Sequence, residues 1–204
     1  MSRVLVLFAH PGQRHSKVNL AMAKAAGSVA DITFADLYAE YPTFGINIDV
    51  EQGRLLAHDT IVFQFPLYWY STPSLLKEWQ DLVLEYGFAY GPSGDKLHGK
   101  KFLAVVTTGG RPAAYDPAVN QMHGLRSLLS PLQRSVEVCG MTFLPPFVLF
   151  GAIDAHTDGR APLHTLAYRS LLEALRDDTI DTNAREHGEF LNYDLIPMNA
   201  GIEA

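Results

Sequence analysis

Val4-Leu5-Val6-Leu7-Phe8-Ala9, an unbroken apolar run closed by His10-Pro11-Gly12, decides the architecture. A strand that is apolar at every position has no face to offer solvent, so it must be covered on both sides, as in a parallel sheet flanked by helices. Ser16-Lys17-Val18-Asn19 then opens a helix over 16–29, with Leu20, Ala23 and Ala26 spaced for one face. The same alternation repeats along the chain. Strands are expected over 32–38, over 60–66 (stopped by Pro66), over 101–107 (broken by Gly109-Gly110-Arg111-Pro112) and over 142–150 across Pro145-Pro146. Helices are expected over 49–57, 73–86, 119–138 and 160–178. Parallel neighbours need crossovers, and helices supply them. The expected fold is therefore α/β: a doubly wound, five-stranded parallel sheet in a single domain over 1–180, followed by a polar C-terminal tail over 181–204.

Composition agrees with that plan. A chain of 204 residues, 48% hydrophobic, can bury roughly 70% of its unfolded surface without disulfide or metal staples. Its net charge of −6, with acids and bases interspersed, argues against nucleic acid as a partner. Cys139 is the single cysteine and sits in an apolar setting, which reads as a buried structural thiol. The N-terminal apolar run is too short for a signal sequence, and no run approaches the roughly 18 residues needed to span a bilayer. The expectation is a cytoplasmic protein.

In doubly wound sheets, ligands bind outside the carboxyl ends of the strands, near the switch in strand order. The first such loop carries His10, Arg14, His15, Ser16, Lys17 and Asn19 ahead of a helix start whose free N–H groups favour an anion. Ser16 can either cap that helix or donate to a phosphate oxygen. A metal pair at His10 and His15 lacks a third ligand, so no metal is expected. The second loop, Pro66-Leu67-Tyr68-Trp69-Tyr70, puts three aromatics where the chain should open to solvent, a flat wall for a heteroaromatic ring. The third, Thr107-Thr108-Gly109-Gly110, has a glycine pair that permits positive φ and close approach of a ligand to backbone. Tyr115 and His123 follow it with a phenol and an imidazole.

The three loops together, in this order and spacing, resemble the NAD(P)H:quinone oxidoreductase family of flavodoxin-like proteins, which includes ancillary subunits of bacterial glutathione-gated potassium efflux systems. The resemblance covers residues 3–175. It implies that His10, Ser16, Val18 and Asn19 surround a flavin's phosphate and ribityl chain, that Pro66, Leu67, Tyr68, Trp69 and Tyr70 flank its ring, and that Thr107, Thr108, Gly109 and Gly110 hold its pyrimidine edge. It further implies Tyr115 and His123 as the catalytic pair beside the ring. Arg111-Pro112 stand where close relatives often carry small residues, and the spacing from Tyr115 to His123 is longer.

The resemblance also implies FMN as cofactor, with FAD as the alternative, NADH or NADPH as hydride donor and a quinone-like acceptor. A homodimer is implied as well. The second reading is a regulatory ancillary subunit of a potassium efflux antiporter, peripheral at the inner face of the membrane, in which flavin or nucleotide binding is sensory. A one-electron carrier ranks below both, because carriers of the flavodoxin type usually have a more phosphate-directed Ser/Thr/Gly loop and lack the Tyr115/His123 pair present here. A Ser/His hydrolase ranks last, because no Gly-x-Ser-x-Gly elbow occurs.

Overall fold

The central strands of the computed structural model are shielded from water on both faces. All five residues of β1 (Val4–Phe8) and all seven of β3 (Thr60–Pro66) are buried, which is why both read as continuous apolar runs. The structure describes residues 1–13, 16–120, 124–180 and 190–191. Among them, β2 (Ile32–Asp36) pairs with β1, and β4 (Lys101–Thr107) pairs with β3. The order is β2-β1-β3-β4-β5, parallel throughout, with β5 (Thr142–Phe143) and β6 (Phe147–Leu149) both on β4.

The expected fifth strand is thus two short strands in one sheet position. Prolines 145 and 146 lack the N–H that would continue the ladder; the backbone amide of Leu144 still donates to Phe102 at 2.8 Å, and pairing resumes only at Phe147. The helix expected over 119–138 is likewise divided into α5 (Pro117–Asn120), α6 (Leu125–Leu128) and α7 (Ser130–Val138). Gly124 is extended, with ψ 157°, and Pro131 can sit only in a first turn, so the chain restarts its helix at each. Strand β2 stops at Asp36 rather than 38 because its carboxylate accepts the Ala39 amide and caps α2 (Leu37–Glu40).

Helices α1 (Val18–Gly27) and α8 (Arg160–Arg176) cover one face of the sheet, with Met22, Ala26, Tyr168 and Leu171 packed on Val4, Val6 and Val105. Helices α3 (Ile48–Ala57), α4 (Ser74–Val83) and α7 cover the other, where Leu55, Leu75, Trp79 and Val136 meet Leu5, Phe63 and Phe102. Each such side chain contributes about 1.5–3 kcal/mol when fully buried. Glu51 of α3 is wholly buried yet fully partnered, accepting from Tyr41 Oη at 2.7 Å, Trp79 Nε1 at 2.8 Å and Arg54 at 2.6 Å. That carboxylate clips α3 to α4, and burial together with its hydrogen bond pushes the Tyr41 hydroxyl up to about 12. No helix among the described residues is long and apolar enough to cross a membrane.

Residues 181–189 and 192–204 of the expected tail lie outside the described residues. Phe190 and Leu191, within it, pack on the body: Leu191 is buried and its amide donates to Pro146 at 3.1 Å.

His164 of α8 is fully buried and stacked on Phe147 at 4.3 Å. Burial, with Arg160 nearby, holds its imidazole down to about 3. Its folded value lies below the unfolded one of about 6.5, so between those values the unfolded chain binds the extra proton. Stability should therefore fall as pH drops through that window, by about 1.4 kcal/mol per pH unit for this group. Replacing His164 with Leu should flatten that part of a stability-against-pH curve; an unchanged slope would contradict the assignment.

Candidate functional site

The switch in strand order falls between β1 and β3. At their carboxyl ends opens a cleft of about 1100 Å³. Its walls include His10, Ser16, Val18 and Asn19 from the first loop, Pro66, Leu67, Tyr68 and Trp69 from the second, and Thr107, Thr108 and Gly109 from the third. Tyr70, Gly110 and Tyr115 do not line it, though Tyr115 packs on Gly110 beside the third loop, and His123 lies outside the described residues. A fourth segment, Ala152, Ile153, His156 and Thr157 after β6, closes one side, as does Lys17. The sequence signals lie at the ends of the first, third and fourth strands; this segment follows the fifth expected strand, whose carboxyl end faces the same cleft.

Helix α1 begins at Val18, not Ser16. Lys17 occupies the N-cap position with no side-chain bond, so the Ser16 hydroxyl is not spent as a cap and the first-turn amides stay available. Beneath them lies a buried polar knot. Asn19 Nδ2 donates to Thr107 Oγ1 at 2.6 Å, and Gln64 Nε2 donates to the Asn19 carbonyl at 3.1 Å. Asn19 Oδ1 and Gln64 Oε1 are buried without a hydrogen-bond partner. Such orphaned acceptors cost about 1–3 kcal/mol each, so their persistence marks a place built for something other than stability. With Thr107 accepting from Asn19, its own hydroxyl proton is left to donate.

His10 is 3% exposed, and burial holds its imidazole below the ordinary value. Its Nδ1 accepts the Gly12 amide at 3.1 Å, which places the proton of the neutral ring on Nε2. The ring meets Tyr68 edge-on at 5.8 Å, linking the first loop to the second.

The second loop is strained. Ser71 donates its amide to Tyr68 at 3.1 Å across Trp69 and Tyr70, which have φ of 48° and 64°. Two consecutive left-handed residues form the tight turn that glycine and asparagine ordinarily fill; bulky residues there cost on the order of 1–3 kcal/mol each. The turn holds Trp69 94% exposed, so the ring gains nothing from burial.

In the third loop the glycines matter for space rather than for φ, since neither Gly109 nor Gly110 is among the positive-φ residues. A Cβ on Gly110 would stand 2.9 Å from Tyr115 Cε2, and one on Gly109 would stand 3.3 Å from Ile153. The pair lets the Tyr115 ring and the fourth loop close on the backbone. Thr108 and Gly110 are bonded to that loop through Ala152→Thr108 and Gly151→Gly110, both 2.8 Å, and Arg111 pairs with Asp154 at 2.9 Å. Among the described residues no three His, Cys, Asp or Glu come together as metal ligands.

Because Trp69 buries almost nothing, replacing it with Gly should raise the stability of the ligand-free protein by about 1 kcal/mol in thermal melts while weakening ligand binding. A destabilised variant would show that the turn is not strained.

Known proteins share this fold. Residues 2–179 match the family described as having a flavodoxin-like fold. The glutathione-regulated potassium-efflux system ancillary protein KefG of Cronobacter sakazakii is 44% identical over 151 residues, which are 74% of this chain and 82% of KefG. General stress protein 14 of Treponema denticola, solved in complex with FMN, is 33% identical with a TM-score of 0.79, covering 85% of this chain and 99% of that one. An NADPH-quinone reductase from P. pentosaceus is 28% identical with a TM-score of 0.74, covering 83% and 97%. The chain belongs to the flavodoxin-like family.

Proposed function

We propose that this chain is a flavin-dependent NAD(P)H oxidoreductase that uses FMN and reduces quinones or similar flat acceptors by two-electron hydride transfer. The observation that carries the reading is the meeting, in one cleft, of an uncapped helix start, an orphaned Asn19 acceptor and an outward-facing aromatic turn. Each suits one part of a flavin mononucleotide. First-turn amides of α1, the Ser16 hydroxyl and the Nε2–H of His10 suit a phosphate. Asn19 Oδ1 and the Thr107 hydroxyl suit ribityl hydroxyls. Tyr68 and Trp69 suit a flat ring, and Thr108 with Gly109 would hold its polar edge. The FMN complex of the 33% identical stress protein favours FMN over FAD.

A flavin held by these residues would supply two-electron redox chemistry between a nicotinamide and the acceptor. The chain's own part is to orient the ring, exclude water and offer a donor where negative charge develops. Tyr115 is the donor we assign, with His123 as its companion; the neutral His10, holding its proton on Nε2, fixes the phosphate end. The aromatic turn gives nicotinamide and acceptor, in turn, a surface to stack on. We place the protein in the cytoplasm, as a homodimer.

KefG at 44% identity favours a second role for the same fold, docking on a potassium efflux antiporter, and the two roles are compatible.

Purified protein titrated with FMN should turn yellow and quench flavin fluorescence; anaerobic NADPH should bleach it, and a simple quinone should restore the colour. Tyr115→Phe should bind FMN normally and be reduced on the order of 10²-fold more slowly. Protein that takes up neither FMN nor FAD refutes the reading. Yellow protein that NADPH leaves unbleached favours the sensory role.

A further inference from the structure

The Tyr115 hydroxyl makes no hydrogen bond to the described residues, so packing alone locates its ring. One side rests on Gly110, where even a Cβ would intrude. Another meets Phe150 at 5.6 Å, tilted by 51°. Phe150 follows β6 at the outer edge of the sheet, and its ring meets Phe190 edge-on, at 5.6 Å and 81°. Phe190 comes from beyond residues 2–179, the stretch that matches the family.

The next residue explains how that distant piece of chain is held. The Leu191 amide donates to the Pro146 carbonyl at 3.1 Å, in the gap where Pro145 and Pro146 separate β5 from β6. Leu191 joins the core on the α1/α8 face, while Phe190 packs against the core on the α3/α4/α7 face. Consecutive side chains pointing to opposite faces, with an amide bonded to the edge, are the behaviour of a strand residue pair. Leu191 thus covers an edge that would otherwise present the Pro146 carbonyl unpaired.

We infer that Phe190 and Leu191 form a C-terminal clamp on the sheet edge that positions Tyr115 through Phe150, making Phe190 a positioning residue for the reaction. This rests on the role proposed above for Tyr115. Leu191 fixes the segment at the break in the edge strand; Phe190 then backs the Phe150 ring, which has Tyr115 on its other contact. Without Phe190, Phe150 can withdraw into the vacated space and the phenol loses the ring that supports it. A displacement near 1 Å at a reacting group is enough to slow catalysis strongly.

The test uses the full chain labelled with 3-fluorotyrosine, with no flavin added, and assigns the Tyr115 ¹⁹F line by its loss in Tyr115→Phe. Phe190→Ala should shift or split that line, Phe190→Leu should do so more weakly, and Phe190→Trp should restore it. With FMN bound, Phe190→Ala should slow reduction by NADPH about tenfold at unchanged FMN affinity, and should add nothing in the Tyr115→Phe background. An unmoved ¹⁹F line overturns the clamp. So does an unchanged rate in Phe190→Ala when Tyr115→Phe itself is slow. If Tyr115→Phe is reduced at the wild-type rate, the proposed role of Tyr115 falls instead, and the ¹⁹F spectra alone then judge the clamp.

Discussion

The hydrogen bonds joining Asn19, Thr107 and Gln64 bind together the elements that make the cleft. Gln64 sits in the middle of β3, between Phe8 of β1 and Val105 of β4, at a position where an apolar residue would pack without cost. Its amide instead reaches the first turn of α1, while Asn19 reaches from that turn to the end of β4. The start of α1 is thereby tied to β3 and β4 at once, beside the cleft that Val18 and Asn19 line. Two acceptors remain unpaired as a consequence. A core chosen for stability alone would not keep them.

The same trade recurs above the knot. The turn at Trp69 and Tyr70 holds two aromatic residues in a backbone region that disfavours them, and presents one almost wholly to water. The cost is met by a sheet buried on both faces and by fully satisfied devices remote from the cleft, such as Glu51 with its donors. Two strained residues and two unpaired acceptors thus border the cleft, while the opposite end of the sheet carries ordinary pairs such as Arg3 with Asp59. Hydrogen bonds from Gly151 and Ala152 make the third and fourth loops one body, so Tyr115 and the cleft wall share a single support.

Much of this was legible in the sequence. The strands at 4–9, 60–66 and 101–107 announce themselves because burial on both faces demands unbroken apolar runs, and the cleft follows from where such strands end. What escaped is of two kinds, local breaks and contacts made at a distance. Asp36 capping Ala39, and the breaks at Pro145-Pro146 and Gly124, are local signals that periodicity averaged away. Gln64 looked like one polar residue in an apolar run; its meaning comes from Asn19, forty-five positions earlier. The glycines of the third loop suggest positive φ and close approach of a ligand; neither has positive φ, and the space they leave is taken up by Tyr115 and Ile153. Ile153 and His156 join the cleft only because the fourth loop folds against the third.

The central claim is that a buried polar knot, costly in itself, holds the helix start in place for a flavin phosphate. Gln64→Met keeps the shape of the side chain and removes its hydrogen bond and its orphaned oxygen. The measurement is FMN affinity of this variant and of the wild type by flavin fluorescence, alongside their melting temperatures without ligand. Binding should weaken at least about tenfold with a melting temperature equal or higher, since a half-satisfied buried polar network is worse than an apolar core. Unchanged affinity, or a wild type that binds no FMN, would contradict it.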